Sequence, residues 1–282
     1  MDERNKLPFR FALILIIFLG FNILHAQEKP SQSLALDQYL SKLPTDLTLK
    51  ENEPQTYLLT TNWYNRDLNG NATGKFVIKG EYTRALSDQV VRWNNVSIEV
   101  FQDPTKSDSD TLFQDWMEGL SYKSPDDIAS PELYKNFPTD ETKHLLRTLI
   151  WDAIGFEIFA WTHFDKLKLN ETIKSSDFED FDAQMADWGT LRMKGLKMTW
   201  IGISKMNDEI CALIQFESFV NPAKSFGISG RSLYWGRIWV SLEDKQIEYA
   251  KMNEDVIMEI TSSPDSKKFL NIQREVSFEK LR

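Results

Sequence analysis

The sequence predicts an α+β fold: a curved antiparallel sheet, or open barrel, wrapped around one long apolar helix. Three observations carry that expectation. Aromatic and β-branched segments separated by turn clusters fill residues 57–102, a single strongly helical apolar segment follows at 139–168, and strand-like segments resume from 191 to 278. No period along the chain marks a solenoid or propeller.

The chain opens with Phe11 to Leu24, an apolar run preceded by Arg4, Lys6 and Arg10 and followed by Ala26 at a cleavage-compatible position. Such a run suits a signal core better than a membrane span. Residues 1–26 are therefore expected to be a signal peptide and 27–282 a single α+β domain, periplasmic or secreted, with an uncleaved N-terminal anchor as the alternative. The 256 residues after the signal carry 30 basic against 40 acidic groups. That balance argues against nucleic acid as a partner, because phosphates are neutralised by clustered Lys and Arg. No basic amphipathic segment points to an anionic membrane surface. Cys211 is the only cysteine, so no internal disulfide forms, and its apolar neighbours place it in a buried strand.

A short helix is expected at 34–42. Strands follow at 57–66, 75–85 and 90–102, with Asn69-Gly70 marking the first hairpin turn. Residues 103–138 hold Pro104, Pro125, Pro131 and Pro138 among many Asp and Ser residues, a long excursion with one short helix around 111–120. In the segment 139–168, Leu145, Leu146, Leu149, Ile150, Ala153 and Ile154 line one helical face. Beyond Gly155 the apolar residues spread around the circumference, so the helix must be enclosed. After an acidic connector at 175–187, strands are expected at 191–204, 209–220, 232–242, 246–252, 256–261 and 269–278. The last places Leu270, Ile272, Val276 and Phe278 on one side and Asn271, Gln273, Glu275 and Ser277 on the other.

Chemistry-bearing motifs are sparse. After the signal only His144 and His163 remain, and on one straight helix they would lie about 28 Å apart. No zinc motif and no nucleophile elbow occurs, so no metal and no cofactor is expected. Asp67, Asn69 and Asn71 resemble the start of a calcium loop, but Ala72 and Ile78 stand where that loop wants glycine and glutamate; a hairpin turn is expected instead. Hydrolases of glycans need only two facing carboxylates, and Asp152, Glu157 and Glu217 are the candidates in apolar surroundings. Asp152 and Glu157 are separated by about 140° around a helix, so ordinary ion pairing competes with catalysis. Several of the nine tryptophans sit in strands with polar flanks. Trp63, Trp93, Trp161, Trp200, Trp235 and Trp239 are candidates for lining an apolar or sugar-binding groove, against an alternative of core packing.

The segment Gly236 to Met252, with Gly236, Trp239, Val240, Ile247 and Ala250 in register, resembles a hairpin of the periplasmic outer-membrane lipoprotein carrier family. That resemblance covers 17 residues and implies a half-barrel, closed by helices, that shelters acyl chains; it carries over no individual binding residue. The long Pro-rich excursion and the single dominant helix depart from that family. The expectation is an exported, non-enzymatic envelope protein binding an apolar ligand, a lipid or a lipidated partner between sheet and helix. A secreted glycan hydrolase or a protein-interaction module are the alternatives.

Overall fold

Alternation builds the sheet. Tyr57, Leu59, Thr61 and Trp63 are buried, while the residues between them are more exposed. The computed structural model describes residues 49–50, 53–140, 142–174, 181–184, 189–193, 195–225, 228–263 and 266–282; the expected signal peptide and the helix at 34–42 lie outside them. In chain order the strands are β1 (Gln55–Arg66), β2 (Ala72–Arg84), β3 (Val90–Phe101), β4 (Ser109–Phe113) and β5 (Leu120–Lys123). Helix α1 (Thr142–Trp161) comes next, then β6 (Thr172–Lys174), β7 (Phe181–Gln184), β8 (Thr190–Met193) and β9 (Lys197–Met206). The long strands β10 (Glu209–Ser225), β11 (Ile228–Ser241), β12 (Ile247–Ser263) and β13 (Ser266–Lys280) complete the set.

These strands form one open antiparallel sheet in the order β4-β3-β2-β1-β13-β12-β11-β10-β8-β7. β5 also pairs with β3, β9 with β10, and β6 with β9. The first and last strands are neighbours, with Thr61 opposite Val276 and Trp63 opposite Arg274. Among the described residues α1 is the one α-helix, so the protein is α+β. No helix among them is long and apolar enough to cross a membrane.

The helix is shorter than the 139–168 expected. Asp140 Oδ1 accepts the Thr142 backbone N–H at 3.0 Å and so starts it there. At the other end a 3-10 turn, Phe164–Lys166, breaks the ladder. Thirteen residues of α1 are buried, Arg147, Asp152 and Glu157 among them, while Trp151, Gly155 and Ile158 form a less buried stripe.

Three local expectations are corrected. Residues 111–120 are not a helix: they hold the end of β4, a 3-10 turn at Asp115–Met117 and the start of β5. Pairing with β3 overrides the helical spacing there, since Gln114 N–H bonds the Val96 carbonyl at 2.8 Å and Gly119 takes a positive φ of 74°. Residues 191–204 are split into β8 and β9 around Gly195, whose φ is 67°. The segments 246–252 and 256–261 are one continuous strand, β12, because Glu254 in the polar gap between them faces a cation across the ladder. The acidic connector is described only at 181–184, where it forms β7.

The first hairpin turn forms as expected. Asp67 Oδ1 accepts from the backbone of Asn69 at 2.9 Å and of Asn71 at 2.8 Å, and Gly70 sits at φ 84°. The Asn71 side chain, also bonded to Asp67, leads the interactions that hold that carboxyl below its ordinary range. The β11–β12 hairpin pairs Trp239 with Tyr249 and Ile238 with Ala250. Gly236 is required within it: a Cβ there would strike the Lys251 carbonyl and lie 2.5 Å from the Phe216 ring.

Candidate functional site

The face of the sheet that meets α1 is apolar at most positions. Phe156 stacks on Phe278 with centroids 5.5 Å apart, and Phe159 stacks on Phe216 at 4.6 Å. Tyr57 stacks on the same Phe278 at 4.2 Å. Contacts of this kind add about 0.5–1.5 kcal/mol beyond area burial. Into this surface the helix inserts two carboxylates, one turn and a half apart, and each is met by its own cation from the sheet.

Asp152 is the centre of the first cluster. Its Oδ2 receives the Thr61 hydroxyl of β1 at 3.5 Å and an N–H of Arg274 from β13. The other terminal nitrogen of Arg274 reaches Glu254 of β12 at 2.5 Å, and Glu254 accepts the Ser232 hydroxyl of β11. The guanidinium lies 5.4 Å from the Trp63 ring centre. One buried cation therefore serves two carboxylates. Burial pushes the Asp152 carboxyl up to about 6 against the pull of Arg274, and the charge on Glu254 adds to the rise. Arg274 stays charged: burial works against it, but Asp152 and Glu254 outweigh burial and hold it above its ordinary value.

Glu157 anchors the second cluster. Its Oε1 accepts from Tyr82 OH and from Arg84 Nε, each at 3.0 Å. Arg84 lies over the Trp161 ring at 4.2 Å and reaches Gln55 Oε1, which also accepts from Tyr57 OH at 3.0 Å. Burial, then the neighbouring Glu157 charge, drives the Tyr82 phenol well above its usual range. Both phenols are thus neutral donors and structural ones.

The three carboxylates singled out by sequence are not brought together as a facing pair. Asp152 is held by Arg274, Glu157 by Arg84, and Glu217 by Lys197 at 2.9 Å. Glu217 also points to the opposite face of the sheet, because its neighbours Phe216 and Ser218 are the buried ones. Nor do the six tryptophans share one groove. Trp93 is fully buried, gives its N–H to Tyr122 OH at 3.1 Å and packs beside Tyr82. Trp63 bonds Asn65, Trp200 the Gly202 carbonyl and Trp161 the Lys245 carbonyl. Trp239 gives its N–H to Ser204, and Trp235 is exposed on the outer face opposite Glu217. Each buried indole has the hydrogen-bond partner that enclosure demands.

Cys211 is buried, and burial pushes its thiol up to about 12, which leaves no thiolate for nucleophilic work. Among the described residues no group of three or more His, Cys, Asp or Glu side chains could hold a metal ion. Two open clefts of about 410 Å³ occur, the first reaching the Glu157 cluster through Gln55. One is lined by Gln55, Asp244, Gln246 and Lys280, the other by Thr172, Lys197 and Glu217, and neither by a residue of α1. Arg274, Arg84 and Glu254 are the site residues that sequence reasoning missed. The signal was present for Arg274: it is the one charged residue on the otherwise apolar side of Leu270, Ile272, Val276 and Phe278. Comparison with protein-family models gives no match, and comparison with curated proteins gives none.

Proposed function

We propose that this is an exported, non-enzymatic envelope protein that holds an apolar ligand, a lipid or a lipidated partner, between α1 and a sheet that curves around it. The observation that carries the reading is the make-up of the helix–sheet interface. Aromatic faces on Phe156, Phe159, Phe216 and Phe278 do the packing, and two carboxylate–guanidinium clusters fix the position of the helix. Buried ion pairs hold geometry well but add little net stability over apolar side chains of similar size. With those pairs kept, an acyl chain would lie along the aromatic surface beside the helix. The N-terminal apolar run supports a place in the periplasm or outside the cell. The Gly236–Met252 hairpin, similar to that of the lipoprotein carriers, supports the apolar ligand class.

Solvent extraction of the purified protein followed by mass spectrometry tests this. A fatty-acid probe whose emission rises on entering an apolar site is titrated in parallel. Co-purifying lipid or saturable probe binding is expected, with tighter probe binding by Arg274→Met, in which the helix is less firmly held. Repeated preparations without lipid, together with no probe uptake by either protein, would overturn the reading.

A further inference from the structure

The far edge of the sheet has a different chemistry. β4 is its terminal strand, and among the described residues no strand pairs with its outer side. Its register on β3 places Phe113 opposite Ser97, Thr111 opposite Glu99 and Ser109 opposite Phe101. Gln114 N–H bonds the Val96 carbonyl, so residues 114, 112 and 110 spend their backbone groups on β3. By the same alternation Ser109, Thr111 and Phe113 turn their N–H and C=O groups outward. Such an edge normally carries short length or charge to prevent pairing with another chain. β4 is short and carries Asp110, but it also exposes apolar side chains: Phe113 is 73% exposed, Leu112 45% and Trp116, just beyond, 37%. Asp108, Asp110, Asp115 and Glu118 surround them, all exposed, and Lys106 is the only basic residue between Asp103 and Glu118.

We infer that β4 is a docking edge for an extended segment of another protein, added to the sheet as a further strand. Outward N–H and C=O groups on Ser109, Thr111 and Phe113 supply the ladder, and Phe113 and Leu112 take apolar side chains on the two faces. The acidic rim selects a partner strand that alternates apolar residues with Lys or Arg. This edge is independent of the helix–sheet site.

The probe is a synthetic peptide of alternating Lys and Val, titrated into the full-length protein and followed by amide NMR. The expected result is saturable binding, with shifts at Ser109, Thr111 and Phe113, weakened by salt. Alternating Glu and Val, or N-methylation of every second residue of the Lys peptide, should weaken binding more than about tenfold. Thr111→Pro removes an outward N–H at a position where an edge strand tolerates proline, and is expected to abolish binding with little change in melting temperature. Phe113→Ala provides a second variant that leaves the backbone alone. No binding at millimolar peptide, equal binding of the Glu peptide, or binding indifferent to both substitutions would overturn the proposal. So would a concentration-dependent dimer that Thr111→Pro dissolves, which would assign the edge to a second copy of this chain.

Discussion

Two carboxylates of this protein are each paired with a cation from a strand, yet they sit in opposite worlds. Asp152 of α1 and Arg274 of β13 meet between helix and sheet, with side chains 6% and 7% exposed. Glu217 and Lys197 face the other side, at 29% and 47%. Contact geometry hardly separates the pairs; the surroundings do. Beneath the helix each partner is needed because the other has no water to fall back on. On the outer face, solvent and mobile ions replace either one at almost no cost.

The largest effect should come from Arg274→Met, which leaves Asp152 and Glu254 facing each other without a cation. A loss of about 3–5 kcal/mol in urea unfolding is expected, and a loss below about 1 kcal/mol would erase the distinction between the two faces. Acidity offers the second test. The Asp152 carboxyl lies near 6 in the folded protein, above the 3.8 of a free side chain. Folding therefore raises its hold on a proton, so its contribution is complete below about pH 4 and is lost as pH rises through 6. The wild type should lose up to about 3 kcal/mol across that window relative to Asp152→Asn. Parallel pH profiles for the two proteins would show that Arg274 already cancels the effect of burial. Gly236→Ala should cost about 1–3 kcal/mol, since its methyl meets backbone and the Phe216 ring. The smallest change belongs to Lys197→Met: under about 1 kcal/mol, and vanishing in salt.

Period and composition made much of the fold legible. β1 to β3, β10, β11 and β13 follow from β-rich composition and period, and α1 from the apolar stripe followed by apolar residues all round. Reading failed where two signals competed. Leu112, Phe113, Trp116 and Met117 are spaced as on a helix, but pairing to β3 settles the first two into a strand. Asn253, Glu254 and Asp255 look like a break between strands, yet β12 runs through them because Arg274 accepts the inward Glu254. The site was legible in halves. Asp152 and Glu157 stood out as acids in an apolar helix, whereas their cations lie on β13 and β2 and no local pattern links them. Partners joined only by tertiary pairing leave no spacing to read.

The neighbouring placement of β1 and β13 has a consequence for how the molecule is made. Asp152 leaves the ribosome 122 residues before Arg274, so for much of synthesis its counter-charge does not yet exist. The central seam of the sheet can be sewn only when the final strand emerges. Until β13 has emerged, the apolar helix has only part of its sheet to pack on, so closing the β1–β13 seam is a late step of folding.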